Sequence, residues 1–140
     1  MLKLPMTYPG IGICVYVRKD GKVLLGKRRS IHGKGEWCAP GGKMEMNESP
    51  EECAIRETRE ETEIEIQDVR FISYSNDIWD DIGTHYVTLN FVADWKMGEA
   101  RVVEQDKFEE WRWFSWGSLP GPLFLSTQNF LAADINPLVF

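Results

Sequence analysis

Residues 41–64 read GGKMEMNESPEECAIRETREETEI, and no other part of the chain is so dense in glutamate. A helix start is legible in it. Ser49 can cap, Pro50 suits the first helical position, and Glu52 is spaced to complete a capping box with Ser49. Counted from that start at about 100° per residue, Glu57, Glu60 and Glu61 fall within one narrow arc as i, i+3 and i+4. Like charges at those spacings cost roughly 0.2–0.5 kcal/mol per pair. A hard divalent cation would remove that cost. Mg²⁺ takes oxygen ligands and bridges carboxylates to phosphates, with Mn²⁺ as the alternative. Gly41 and Gly42, just upstream, let the backbone approach a cation or a phosphate with no side chain in the way. On charge alone a solvated acidic face is the commoner case. The order of the residues is what narrows it.

Outside this stretch, 140 residues with 43% hydrophobic content predict one domain, 1–140, with a core of its own. The first residues carry no basic-then-apolar leader, and no apolar run is long enough to span a bilayer, so the expectation is a cytoplasmic protein without a membrane partner. Cys14, Cys38 and Cys53 have no CxxC spacing and are expected as reduced core thiols. A net charge of −6 argues against a nucleic-acid polymer as partner. A polyanionic substrate would then need metal ions and a few local basic residues to bind. A homodimer is left open.

The rest alternates short apolar runs with turns. Residues 11–17 (IGICVYV) and 23–26 are expected as a hairpin about the Asp20-Gly21 pair. A basic loop at 27–35, punctuated by glycine, leads into an extended piece at 36–40. Strands are expected at 69–75 and 85–95 with a polar loop at 76–84 between them, then a strand at 110–114 and a final helix near 123–133. The fold class is α+β, a mixed sheet between helices. Trp111, Trp113 and Trp116 are expected in the core. Trp37, Trp79 and Phe124 are candidates to stack on a base, and neither His32 nor His85 is expected to bind metal.

From Gly42 the chain has five residues, Glu48, seven residues, Arg56-Glu57, one residue, Arg59, Glu60-Glu61, and Ile64 three residues on. This closely resembles the signature of the Nudix (MutT-like) hydrolases, G-x5-E-x7-R-E-U-x-E-E-x-G-U, where U is aliphatic. Two positions depart from it. Thr58 stands for an aliphatic residue and should pack like Val, and Glu63 stands for the glycine, so the helix exit is expected to differ.

The resemblance implies an α/β/α sandwich and hydrolysis of a pyrophosphate link in a nucleotide. It makes Glu57, Glu60, Glu61 and the carbonyl of Gly41 metal ligands. Glu48 and Arg56 become their supports, since a forked arginine can hold a glutamate in place. Arg28 resembles a phosphate-contacting arginine. The stretch 103–111 (VEQDKFEEW) resembles V-E-P-E-K-x-E-x-W of the family's nucleoside triphosphate diphosphatases, which makes Glu104 the general base, with Glu61 as the alternative and Glu99, Asp106, Glu109 and Glu110 nearby. The implied substrates are nucleoside or deoxynucleoside triphosphates, oxidised ones included, cleaved to monophosphate and pyrophosphate. The runner-up is ADP-ribose or another nucleotide sugar. A non-catalytic ligand-binding module comes third, because the box carboxylates are all present.

Overall fold

A computed structural model describes residues 6–140 of the protein. The expectation of no leader rests in part on residues 1–5, which lie outside the described residues. The apolar run after Gly10 becomes the central strand β1 (Gly10–Lys19). Its side chains alternate between two cores, with Ile13, Val15 and Val17 in one and Cys14 and Tyr16 in the other. Such a strand is covered on both faces, which is why it reads as continuous apolar sequence and not as an alternating pattern.

β2 (Lys22–Arg28) returns antiparallel through the Asp20-Gly21 turn, where both residues have positive φ (52° and 73°). That is the geometry a two-residue hairpin asks for. β3 (Trp37–Cys38) and β7 (Phe108–Ser115) both pair with β2, and β4 (Gly41–Lys43) pairs with β1. On its other side β1 runs parallel to β6 (Thr84–Met97), which is hairpinned to the edge strand β5 (Glu65–Trp79). The sheet has seven strands and is mixed. Helix α1 (Pro50–Thr62) covers one face with Cys53 and Ala54 in the core beside Ile13 and Phe91. Helix α2 (Leu125–Ala132) covers the other, where Phe130 stacks on Tyr16 at 4.0 Å. The α/β/α sandwich read from the sequence is the observed architecture. Among the described residues no helix is long and apolar enough to cross a membrane.

The polar loop expected at 76–84 is shorter than its sequence suggests. Residues 76–79 are strand and not loop, and only Asp80–Ile82, a 3₁₀ turn closed by Gly83 at φ 62°, separates β5 from β6. Asp77 looks like a loop residue, but it is buried on the α2 side and hydrogen-bonded there to Ser75 and Asn129. A polar layer had been read as a surface. Trp37 is a second correction, because it lies in the core against Phe114 at 5.1 Å and not where a base could stack.

Candidate active site

Helix α1 begins as its sequence dictates. Ser49 Oγ accepts from the Glu52 amide at 3.1 Å, Glu52 Oε1 accepts from the Ser49 amide at 3.0 Å, and Pro50 follows the cap. The box glycines form β4. Gly41 faces Cys14 across the ladder, flanked by the Val15–Pro40 and Ile11–Met44 hydrogen bonds, so it occupies a non-hydrogen-bonded pair. Its own amide therefore turns away from β1 toward α1. The Gly41 amide donates to Glu61 Oε1 at 2.9 Å. Glycine is required at Gly41, where a Cβ would meet the Ile13 carbonyl oxygen at 1.9 Å; a Cβ on Gly42 would meet the Glu57 carboxyl carbon at 2.4 Å and push that side chain aside.

The three glutamates share one side of α1, yet their environments differ. Glu61 is buried, at 6% exposure. Desolvation pushes its carboxyl well above the usual carboxylate range, against the Gly41 hydrogen bond, and the charges of Glu57 and Glu104 push the same way. Burial raises Glu57 too, opposed by Arg56. Glu60 lies out in solvent and gives its carboxylate to Arg56 at 3.1 Å. Among the described residues, no three His, Cys, Asp or Glu side chains form a ready-made metal cluster. The donor set nevertheless suits a hard cation: all oxygens, with the Glu57 and Glu61 carboxyls raised by burial and the Gly41 backbone beside Glu61.

Arg56 is the hub of the supports. It forks onto Glu48 at 2.9 and 2.8 Å, reaches Glu57 at 2.9 Å, and donates to the Lys43 carbonyl at 3.4 Å. The Arg56 fork, with the Glu45 amide, pulls the Glu48 carboxyl down to about 2. Glu104 lies in the turn before β7 and is ion-paired with Lys107 at 3.0 Å. Its charge raises both Glu57 and Glu61. Of the other loop acids, Glu109 faces Lys27 at 3.8 Å and Glu110 holds Arg112 at 2.9 Å.

Beside Glu61 opens a cavity of about 310 Å³, lined by Gly41, Gly42 and Lys43 and by Trp79 and Phe124. Arg28 also lines it, its guanidinium 4.0 Å from the Phe124 ring centre. It donates to the His32 carbonyl at 3.1 Å, to Ser30 at 3.3 Å and to Cys38 Sγ at 3.8 Å. A guanidinium has five N–H donors, so capacity for an anion remains. Cys14 and Cys38 line the cavity as free thiols, both pushed up by burial, Cys38 to about 11, so neither is poised as a nucleophile. His32 was not foreseen in the cavity, where it packs edge-on to Trp79 at 5.1 Å and Phe124 at 5.3 Å. Thr88, Tyr86 and Phe108 were likewise missed. A lone Thr or Tyr on a strand carries no spacing signal.

Known proteins resemble this chain along most of its length. A NUDIX domain model matches residues 6–133. The chain is 33% identical over 116 residues to the NAD-capped RNA hydrolase NudC of Pseudomonas entomophila, covering 81% of this chain and 40% of that protein. It is 33% identical over 115 residues to the ADP-ribose pyrophosphatase of Methanocaldococcus jannaschii, covering 81% of this chain and 66% of that one. The chain thus spans about two fifths and about two thirds of these relatives. The crystal structure of a MutT NUDIX hydrolase from Burkholderia pseudomallei superposes with a TM-score of 0.83 at 32% identity, over 91% of this chain and 97% of that one. With the box glycines on β4, its glutamates on α1 and a family match across nearly all the described residues, the chain belongs to the NUDIX family.

Proposed function

We propose that this protein hydrolyses the pyrophosphate link of nucleotides with the help of a divalent cation, and that nucleoside triphosphates, cleaved to monophosphate and pyrophosphate, are its substrate class. One observation carries the reading. A single cavity is lined both by Gly41, Gly42 and the Glu61 carboxyl and by the rings of Trp79 and Phe124, with Arg28 stacked on Phe124. Those are the two kinds of surface that the phosphates and the base of a nucleotide require. Its volume of about 310 Å³ lies at the low end for small-molecule sites and suits one nucleoside better than two.

Glu57, Glu60, Glu61 and the Gly41 carbonyl are the groups that would hold the cation, Mg²⁺ or Mn²⁺. Bound there, it would neutralise phosphate oxygens and acidify water. The chain's own residues do the rest. Arg28 binds a phosphate oxygen, which an acidic protein would otherwise repel. Arg56, fixed by Glu48, orients Glu57 and limits the repulsion between it and Glu60. Glu104 takes the proton of the attacking water, and its ion pair with Lys107 holds the carboxylate in place. Trp79 and Phe124 pack against the base.

The second reading, cleavage of ADP-ribose, is favoured by the likeness to an ADP-ribose pyrophosphatase, and the likeness to NAD-capped RNA hydrolases adds NAD-capped RNA as a candidate substrate. Incubation with Mg²⁺ and each nucleoside triphosphate, ADP-ribose, NAD and NAD-capped RNA, with products separated by chromatography, tests the proposal. Monophosphate and pyrophosphate from a triphosphate is the expected result. AMP and ribose phosphate from ADP-ribose, with triphosphates untouched, would select the second reading, and no turnover of any would overturn both.

A further inference from the structure

Between the sheet and α2 lies a polar cluster that the hydrolytic chemistry does not use. Asp77, on β5, is fully buried. Its Oδ2 accepts from the Thr88 hydroxyl on β6 and from Ser75 Oγ at 3.3 Å, and its Oδ1 accepts from Asn129 Nδ2 of α2 at 2.8 Å. A desolvated carboxylate is expensive unless donors converge on it, and three do. All three are neutral. This arrangement is too specific for filler, and it lies directly behind the cavity, because Thr88 is one of the cavity's walls.

The consequence for Thr88 follows from its inventory. A hydroxyl has one proton and two lone pairs, whereas a carboxylate offers acceptors only. With its proton committed to Asp77, Thr88 Oγ1 presents lone pairs to the cavity and nothing else. Gly12, also on the wall, keeps that oxygen accessible, since a Cβ there would stand 3.2 Å from it. We propose that Thr88, polarised and aimed by Asp77, reads the nucleobase by accepting a hydrogen bond from an exocyclic amine, so that the pocket selects amino bases over their keto counterparts. A keto oxygen at the same place would face lone pairs with a buried carboxylate behind them. Sites that must leave a polar group unpaired reject such an analogue far more strongly than a merely apolar pocket does. Thr88 is then a substrate contact, and Asp77 is a positioning residue that acts through it.

The inference rests on the nucleotide reading of the site, and its test separates the two. The kcat/KM values of ATP against ITP, CTP against UTP and GTP against ITP compare each amine with its analogue lacking it. In the pair containing the best substrate, the amine-bearing member is expected to win by about tenfold or more. Asp77→Asn can donate to Thr88 through its amide, releasing the hydroxyl proton toward the cavity, so the ratio should fall toward one. Thr88→Val should lose the preference and Thr88→Ser should keep it, a pattern that a purely structural role would not produce. If Asp77→Asn does not fold, the Val and Ser variants decide alone. Equal use of amine and analogue by the wild type, or the wild-type ratio surviving in Thr88→Val, would overturn the proposal. If no nucleotide is turned over, the hydrolase reading fails instead. The same pairs are then compared by binding, followed through the fluorescence of Trp79, with the same two outcomes.

Discussion

Thr58 and Glu63 are the two positions where the box departs from its family pattern, and the structure attaches a cost to each. Thr58 is fully buried and its hydroxyl finds no hydrogen-bond partner, so it packs as the aliphatic residue it replaces while carrying an idle polar group. Thr58→Val should stabilise the fold by about 1 kcal/mol. Glu63 caps α1 in the left-handed region at φ 65°, its amide bonded to the Arg59 carbonyl. The helix exit was expected to change without glycine, yet the chain keeps the left-handed turn with a glutamate in it. Residues with a Cβ resist that conformation, so Glu63→Gly should stabilise by roughly 0.5–1 kcal/mol. Urea midpoints with an unchanged slope check both, and a lower midpoint in either variant would contradict its argument. Glu104 is a question of the same scale. Glu104→Gln should lower kcat by something like 10²–10⁴-fold with little change in cation affinity, and higher pH should partly restore it. An unchanged kcat would transfer the role to Glu61.

The segment from β4 through the start of α1 works as one unit because Arg56 ties it together. Its fork onto Glu48 closes the loop between the glycines and the helix, and the hydrogen bond to the Lys43 carbonyl reaches β4 itself. The Glu48 carboxyl, ordinarily near 4.3, is held down at about 2 in the folded protein. A depressed acid stabilises the fold above its unfolded pKa and loses that contribution as pH falls through the folded one. The stability gap between wild type and Glu48→Gln should therefore be constant near neutrality and close between about pH 4.3 and pH 2. Denaturant titrations at stepped pH read it. A gap independent of pH down to 2 would mean that Glu48 acts by packing alone. At this scale α1 was legible in advance, because Ser49, Pro50 and Glu52 are local signals. The split among its glutamates was not legible. Whether Glu61 turns in under β4 or Glu60 turns out to Arg56 depends on where the sheet lies.

Across the whole molecule, the parts legible in the sequence are those written into neighbouring residues: the Asp20-Gly21 hairpin, the two-faced strand β1, the capped helix and the spacing of the box. What escaped depends on distant partners. Asp77 looks like a loop residue until Thr88 and Asn129 are seen around it, and Trp37 looks like a base platform until Phe114 is found against it. Arg28 was foreseen as a phosphate contact, but its seat on Phe124 in the cavity wall was not. The same whole-molecule view ties stability to the cation. Added Mg²⁺ should raise the melting temperature by mass action, and the increment should shrink in Glu57→Gln. Equal increments in both proteins would place the cation elsewhere.

The central claim is that the carboxylates of α1, facing the glycines of β4, hold a divalent cation that the hydrolysis requires. Turnover of the best nucleotide substrate, measured against Mg²⁺ concentration for the wild type and for Glu61→Gln, tests it most directly. The account predicts no turnover in EDTA, recovery on adding Mg²⁺, and a kcat lower by orders of magnitude in Glu61→Gln, whose fold is intact because an amide is easier to bury than a charge. Full turnover in EDTA, or near-wild-type turnover by Glu61→Gln at limiting Mg²⁺, would contradict it.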